Sequence, residues 1–487
     1  MTDPVLELLR SRPDLAEIAA FPFDFDVERT RHVEEVSLAS GAALEPIAGD
    51  DSGGTYFLCG GTSVLYASSE GDAVLIADSV SEALEMLVRL PGWCEGLTAG
   101  LDEEGLRAAV AAGDAAAREE FAPELDAQRA ALLAGLGLPE RPLTELFALS
   151  ESAARRTEPD HLLLNAAELC AYRLDEAYRM CLRDVVLGPG RAALVRLRRG
   201  EAGAREEAEA DPVLRAGVLR AAWEDRDEGD LPLLRALLAR EDAARGARHE
   251  ERLVAAALVA AYGRDEDVPL LRSATSGRVT DAGSAVEWAR GREEHGPDAF
   301  TWVELARRQG LVGHARVELI RLLDDTGPDA ERLRALSRAL EGIGEYAQAA
   351  RAQVNLLSLQ DTAHGRAVEA YALARVERLR GELGFAAGAL ERARQAVGPA
   401  GGEGAGRGRG GPDESVAQWH RRGLGRHLAE QHLELVLAAV ESGEAELART
   451  TMRHAEAVLE RIAAKGAGTL APLSSRARWA VAGLRGA

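Results

Sequence analysis

A six-residue turn occurs twice in the C-terminal half of this sequence, and its spacing constrains the architecture more than any other feature. The turn reads GLVGHA at residues 310–315 and GEYAQA at residues 344–349, which places the two copies 34 residues apart. Each copy lies between two segments of helix length whose apolar residues recur at helical spacing. A unit of two helices cannot bury its apolar face without neighbours that stack on it. The repeat therefore predicts a stacked helical array, which offers a surface for binding rather than a pocket for chemistry.

The residues around these turns resemble tetratricopeptide repeats. Trp302 occupies an apolar position of the first helix in the first unit, and Leu333 occupies one in the second unit. Ala315 and Ala349 stand at the small position of each second helix, where they allow two helices to approach closely. Most of the family's aromatic and proline positions are absent, which favours a rigid body over a peptide-binding clamp. Weaker copies of the turn are found at residues 383–388 and 443–448.

A second internal repeat lies upstream and has a period of 37 residues. The segment LPLLR at residues 231–235 is echoed by VPLLR at residues 268–272, and each follows an apolar helix and an acidic turn. Proline is tolerated in the first turn of a helix, where its missing N–H would have no partner in any case. The preceding acidic residues suit the positive end of the helix dipole. These helix pairs resemble HEAT-type repeats, which implies a stacked helical body.

The N-terminal hundred residues carry a different pattern. Three short β-rich segments at 55–59, 64–68 and 73–77 are separated by glycine-containing turns, which predicts an antiparallel meander. Ser79 and Glu82 then form a capping box at the start of an amphipathic helix that can pack on this sheet. We also expect a short helix over residues 3–20, interrupted by a proline, and an extended edge segment over residues 21–26.

Part of this module, roughly residues 40–95, is similar to the later half of the SUKH superfamily. The resemblance rests on TYFLCG at 55–60, VLYASSEG at 64–71, IADS at 76–79 and the leucine, proline and tryptophan at 90–93. The superfamily has an α+β fold that is common among bacterial immunity proteins, which bind and neutralise polymorphic toxins, many of them nucleases. Its usual N-terminal helix-and-loop signature is not found in this sequence. The resemblance implies toxin binding and carries over no catalytic residue.

The whole sequence predicts a mostly α protein, with a small N-terminal α+β module (antiparallel sheet plus helix) followed by an α-helical repeat body, an α–α superhelix. Within the body we expect two helices that meet near residues 113–114. We also expect one long helix over residues 161–187, broken by the Gly-Pro-Gly at 188–190, with Cys170 and Cys181 in its core. The predicted divisions are the SUKH-like domain at 1–98, irregular helical pairs with HEAT-like repeats at 99–290, tetratricopeptide-like repeats at 291–397, a glycine-rich linker at 398–413 and a closing C-terminal helical pair at 414–487.

Charge and composition limit the classes of partner. The formal net charge is −22 and the isoelectric point is about 5.0, which disfavours binding to nucleic acid or to an anionic membrane surface. The same acidity favours a basic protein partner, although acidity also serves solubility alone. Lys465 is the only lysine, which argues against Schiff-base chemistry. The absence of a secretory leader and of an apolar run of roughly 18 residues predicts a cytoplasmic protein with reduced, mostly buried thiols.

No sequence motif indicates catalysis. Neither a phosphate-binding loop nor a Gly-x-Ser-x-Gly elbow nor a set of kinase motifs is present in the sequence. His427 and His432 lie five residues apart, which separates them by about 140° around a helix, so they cannot share a metal ion. We expect them to lie on a solvated helix face. The sequence therefore predicts a protein that is not an enzyme and that has no metal and no cofactor.

The likeness to immunity proteins and the repeats together suggest a non-enzymatic protein–protein interaction protein that neutralises a basic toxin. A helical-repeat scaffold or regulatory assembly protein unrelated to toxins is the alternative, and an enzyme with a site of dispersed carboxylates is a remote one. The candidate partner-binding residues are acidic side chains in the repeat turns and in the N-terminal hairpin. They are Asp225, Asp227, Asp230, Asp265, Glu266, Asp267, Glu70 and Asp72.

Overall fold

The structure is a computed structural model, and it describes residues 3–90, 102–243, 249–294, 296–396, 423–462 and 464–484. The chain divides into two compact units, Met1–Glu318 and Leu319–Ala487. A small antiparallel sheet lies near the N-terminus and a helical body follows it. This arrangement confirms the predicted fold class.

The N-terminal sheet is a four-stranded antiparallel meander in the order β2-β3-β4-β5. All five residues of β3 are buried, because helices cover one face of the sheet and the β1–β6 ribbon lies against the other. The three predicted strands are confirmed, and β2 adds a fourth at the edge. The strands are β1 (Val36–Leu38), β2 (Leu44–Gly49), β3 (Thr55–Cys59), β4 (Ser63–Ala67), β5 (Ala73–Ala77) and β6 (Leu163–Asn165).

The short strand β6 corrects the prediction of one long helix over residues 161–187. It pairs antiparallel with β1, with Leu163 opposite Leu38. Three consecutive leucines, at 162–164, are buried, a pattern that a helix packed on one side does not produce. The backbone N–H of Leu75 in β5 also donates to the hydroxyl of Thr157 at 2.9 Å. Residues 157–173 therefore pack with the N-terminal sheet and do not belong to the predicted helical body.

Six helices in the described residues belong to this α+β region. The predicted cap of α3 is present, because the hydroxyl of Ser79 accepts a hydrogen bond from the N–H of Glu82. The Glu82 carboxylate accepts its hydrogen bond from the N–H of Asp78, one residue before the position that a capping box requires. The predicted helix junction at 113–114 is wrong, since Asp114 lies inside α4 and pairs with Arg129 of α5 at 2.6 Å. The helices are α1 (Pro4–Ser11), α2 (Pro13–Ala20), α3 (Val80–Arg89), α4 (Glu103–Glu120), α5 (Leu125–Leu136) and α6 (Leu143–Ala154).

The rest of the first unit is built from helical pairs. Pro232 and Pro269 both lie in the first turn of a helix, as the 37-residue repeat predicts, and each of those helices follows a single 3₁₀ turn, Glu228–Asp230 or Asp265–Asp267. The helices are α7 (Leu182–Arg198), α8 (Ala204–Ala210), α9 (Pro212–Glu224), α10 (Leu231–Ala243), α11 (His249–Ala260), α12 (Val268–Ala274), α13 (Ala282–Glu294) and α14 (Ala299–Arg308).

The Gly-Pro-Gly sequence at 188–190 lies inside α7 and does not end it. A Cβ atom on Gly190 would lie 2.3 Å from the carbonyl carbon of Gly217 in α9, so these two helices cross at a contact that only glycine permits. The predicted core positions for two cysteines are also wrong. Cys181 is exposed and Cys170 is partly exposed, because both precede α7.

In the described part of the chain, seven helices follow α15, and the division between the two units falls within α15 itself. The last part of the chain holds three described helices instead of the predicted closing pair. Trp93 and the predicted linker at 398–413 lie outside the described residues. The helices are α15 (Val312–Asp324), α16 (Ala330–Gly342), α17 (Tyr346–Ser358), α18 (Ala363–Arg380), α19 (Leu383–Ala396), α20 (Leu424–Glu441), α21 (Ala445–Leu459) and α22 (Ala464–Gly483).

The repeated turn has the same geometry in four places. In each, a glycine with positive φ follows the first helix, and the next residue donates a hydrogen bond to the carbonyl five residues earlier. The third copy therefore begins at Gly381, whose φ is +90°, and its small buried residue is Ala386. The predicted start at residue 383 was two residues late. The four turn glycines are Gly310, Gly344, Gly381 and Gly443.

Candidate functional site: acidic turns and an arginine–tryptophan cleft

Two of the predicted partner-binding carboxylates are buried. Asp230 and Asp267 are 5% and 3% exposed, and each is held by an arginine from an earlier helix. A guanidinium nitrogen of Arg198 lies 2.8 Å from the Asp230 carboxylate, and one of Arg235 lies 2.6 Å from the Asp267 carboxylate. A buried carboxylate needs such a partner because an isolated buried charge is costly. These two side chains stabilise the fold and are not available to a partner.

The same ion pair recurs in successive repeats. Arg198 and Arg235 stand one 37-residue period apart in the sequence, and so do the aspartates that they bind. Exposed carboxylates join both pairs, Asp225 at Arg198 and Glu266 at Arg235. Each arginine thus links one helical pair to the acidic turn of the next pair. We refer to these two arrangements as the inter-repeat clamps.

The other four predicted residues differ in how far the fold neutralises them. Asp72 pairs with Arg173 at 3.0 Å, and Asp227 accepts a hydrogen bond from the backbone N–H of Gly229 at 2.7 Å. Asp265 and Glu70 are exposed, and their carboxylates form no hydrogen bond or ion pair with any described residue. The structure therefore leaves Asp265 and Glu70 as free carboxylates and engages the others internally.

A cleft of about 450 Å³ opens between helices of the same unit. Arg183 near the start of α7, Arg220 on α9, Arg292 on α13 and Trp302 on α14 line it. Its wall also contains Trp223 and Val254. The first two arginines come from α7 and α9, the helices that cross at the Gly190–Gly217 contact.

The indole of Trp302 lies between two guanidinium groups. The Cζ atom of Arg220 is 5.6 Å from the centre of the ring and that of Arg183 is 5.9 Å away. These distances are within the range of cation–π attraction. Asp298 caps the same helix by accepting a hydrogen bond from the N–H of Thr301 at 2.9 Å, which fixes the indole relative to the arginines.

Among the described residues, two of the three arginines in the cleft form an ion pair with a carboxylate, and the third does not. Arg183 pairs with Glu224 at 2.5 Å and Arg292 pairs with Glu250 at 2.5 Å. Arg220 is only 7% exposed and forms no hydrogen bond or ion pair with any described residue. Burial lowers the pKa of Arg220 from its ordinary value, and the nearby carboxylates Glu251 and Glu250 oppose that shift.

Sequence reasoning missed this cleft, because its residues come from five helices spread over more than a hundred positions. The sequence contains one signal for this cleft, an aromatic residue at the same place in two successive repeats. Trp223 occupies this place in the first repeat and Tyr262 in the second. Arg226 covers Trp223 with its Cζ 4.8 Å from the ring centre. Trp302, interpreted from the sequence as a core residue of its helix, is in fact partly exposed at the cleft.

The histidines of α20 also differ from the prediction of a solvated face. His427 is partly exposed beside Glu430, but His432 is 1% exposed. The Nδ1 atom of His432 lies 2.8 Å from the carbonyl oxygen of Leu428, so Nδ1 carries the proton. Its Nε2 atom is buried without a hydrogen-bond partner among the described residues. The side chain is therefore a core residue.

Among the residues that the structure describes, no group of three or more His, Cys, Asp or Glu side chains is placed to hold a metal ion. Within the same residues, no helix combines the length and apolarity needed to cross a membrane. Comparison with known proteins adds no relative, since no family model, no curated protein and no solved structure matches this chain.

Proposed function

We propose that this chain is a non-enzymatic binding protein, which holds a protein partner on a rigid body of stacked helical pairs. In its specific form, the proposal is an immunity-type protein that neutralises a basic toxin. The proposal places the protein in the cytoplasm, a reducing compartment that suits the free thiols of Cys59 and Cys181.

The observation that carries the proposal is the division of the acidic turn residues into two groups. The inter-repeat clamps hold buried aspartates internally and fix neighbouring helical pairs, so the body is already ordered before any partner binds. A pre-ordered surface loses little conformational entropy on association. Asp265 and Glu70 remain exposed without a cation among the described residues. Together with the net charge of −22, they favour the approach of a basic surface.

Affinity purification of the tagged chain from its native host, followed by mass spectrometry, identifies the partner. The association rate of that partner should then be measured between low and high salt. We expect a rate that falls steeply with salt, because charge steering between an acidic and a basic protein is screened by ions.

A double variant locates the interaction. Asp265→Asn with Glu70→Gln should lower the association rate by about tenfold at low salt and flatten its salt dependence. Asp225→Asn with Asp72→Asn is the matched control, since it removes the same number of charges from carboxylates that arginines already neutralise. If neither salt nor the double variant changes the association rate of the partner, the result contradicts the basic-toxin form of the proposal and supports the scaffold alternative.

A further inference from the structure

Arg220 is a buried cation in the wall of the arginine–tryptophan cleft, and no carboxylate among the described residues forms an ion pair or hydrogen bond with it. A buried charge without a hydrogen-bonded counter-ion is costly, and proteins ordinarily pair such groups. The other cleft arginines follow that rule, because Arg183 and Arg292 each bind a carboxylate. The Cζ atom of Arg220 lies 5.6 Å from the centre of the Trp302 ring, but an indole does not accept the hydrogen bonds of a guanidinium fork.

The surroundings define the charge of a suitable ligand. The cleft is lined by three arginines and by three carboxylates, those of Glu224, Glu250 and Asp298. Two of the carboxylates pair with Arg183 and Arg292, and the third caps α14. The formal charges of these six groups balance, but Arg220 is the one arginine of the three that has no paired carboxylate among the described residues. A monoanion would neutralise Arg220, whereas a phosphate dianion would bring excess negative charge close to three carboxylates.

We infer that the cleft binds the carboxylate group of a small organic acid or of a peptide C-terminus, with Arg220 as the anchoring side chain. A planar guanidinium presents two parallel N–H donors that match the two oxygens of a carboxylate. Trp302 and Val254 provide apolar surface for the body of the ligand. The volume of about 450 Å³ suits a small molecule or the last two or three residues of a peptide. This site is independent of the acidic turns and of the partner proposed for them.

Binding is tested by isothermal titration calorimetry with the full chain and two matched pairs of probes. The first pair is 3-phenylpropionate and its amide, and the second is a Gly-Gly-Phe peptide with a free or an amidated C-terminus. We expect saturable binding of at least one free acid and no binding of its amide. If the small acid binds, the source is a free metabolite-sized anion, and if only the peptide acid binds, the source is a chain terminus.

Variants of Arg220 link the binding to this residue. Arg220→Gln should weaken binding of the acid by about tenfold or more, because a hydrogen-bonded ion pair is lost. Arg220→Lys should retain part of the affinity, since it keeps the charge without the fork. Arg196→Gln is the control, because Arg196 is a surface arginine of α7 that pairs with Glu201 and Glu207 outside the cleft.

The thermal melting temperature shows whether a variant is folded. Arg220→Gln should melt at the same temperature as the wild type or higher, since it removes a buried charge that has no ion pair among the described residues. The inference is overturned if the wild type binds neither free acid, or if it binds the amides equally well. Unchanged affinity in a folded Arg220→Gln variant overturns it too, as does binding of inorganic phosphate without binding of either acid.

Discussion

Replacing Gly190 by alanine tests whether the close contact between α7 and α9 determines the packing of the first unit. A Cβ atom at this position would lie 2.3 Å from both the carbonyl carbon and the carbonyl oxygen of Gly217. Because those atoms belong to the backbone, no side-chain rotation relieves the overlap. An ordinary contact begins at 3.4 Å, so the two helices would have to separate by about 1 Å.

The expected loss of stability follows from two opposing effects. Overpacking of a close contact costs about 1–3 kcal/mol, and alanine in place of glycine inside a helix gains about 0.5–1 kcal/mol. We therefore expect Gly190→Ala to lower the free energy of unfolding by about 1–2 kcal/mol. Gly188 is the matched control, because it lies in the same helix beside the same proline and a Cβ atom there meets nothing within 4 Å beyond its chain neighbours. Gly188→Ala should change stability by less than about 0.5 kcal/mol, because the gain from replacing a helical glycine is offset by the contact of the new Cβ atom with the ring of Pro189.

Hydrogen exchange of peptides from α9, followed across a urea titration, measures this region separately from the second unit. Gly190→Ala should lower the urea midpoint, and Gly188→Ala should leave it nearly unchanged. Since Arg183 and Arg220 lie on the two helices that separate, Gly190→Ala should also weaken carboxylate binding in the cleft, and Gly188→Ala should not. Similar midpoints for the two variants would refute the close-contact reasoning.

Three further predictions concern other parts of the fold. Burial lowers the pKa of His432 to about 4, whereas the pKa of a histidine in the unfolded chain is about 6.5. As the pH falls, the unfolded chain takes up this proton first, so the wild type should lose about 2 kcal/mol between pH 7 and pH 5 through this group. The His432→Leu variant lacks this group, so its free energy of unfolding should fall by about 2 kcal/mol less over the same pH range. Urea unfolding of α20, followed by hydrogen exchange, measures both proteins, and an equal pH dependence in the two would contradict the low pKa of His432. Asp230→Asn breaks a buried inter-repeat ion pair and should cost about 2 kcal/mol in urea unfolding. Asp225→Asn, at the exposed end of the same clamp, should cost less than about 1 kcal/mol, and equal effects would count against a buried clamp. Gly381→Ala forces alanine into a positive φ and should cost about 1 kcal/mol by the same measurement. Gly388→Ala, in the helix that follows, should be neutral or stabilising. If Gly388→Ala destabilised the protein more than Gly381→Ala, the result would support a turn that begins at residue 383.

Local signals in the sequence determined most of the secondary structure. The strands β3 to β5, the capped start of α3 and the glycine turns of the repeats are encoded within a few consecutive residues. Such signals do not need knowledge of distant neighbours, which is why these elements could be predicted. The helical-repeat architecture could also be predicted, because a fixed period implies units that bury one another's apolar faces.

Contacts between distant residues decided where those local signals failed. Leu163 and Leu164 form a strand because β1, more than a hundred residues earlier, offers a pairing edge. The Gly-Pro-Gly at 188–190 continues a helix because Gly217 on α9 requires a glycine opposite it. In both cases tertiary packing outweighed the local preference of the backbone.

The candidate site shows the same division between sequence and structure. The sequence alone determined that acidic side chains would cluster in the repeat turns, because helix starts favour them. Only the tertiary structure decided that Asp230 and Asp267 are buried in ion pairs while Asp265 stays free. It alone also isolated Arg220 in a cleft beside Trp302. Burial and charge pairing depend on which side chains the fold brings together across many residues, and no local pattern encodes them.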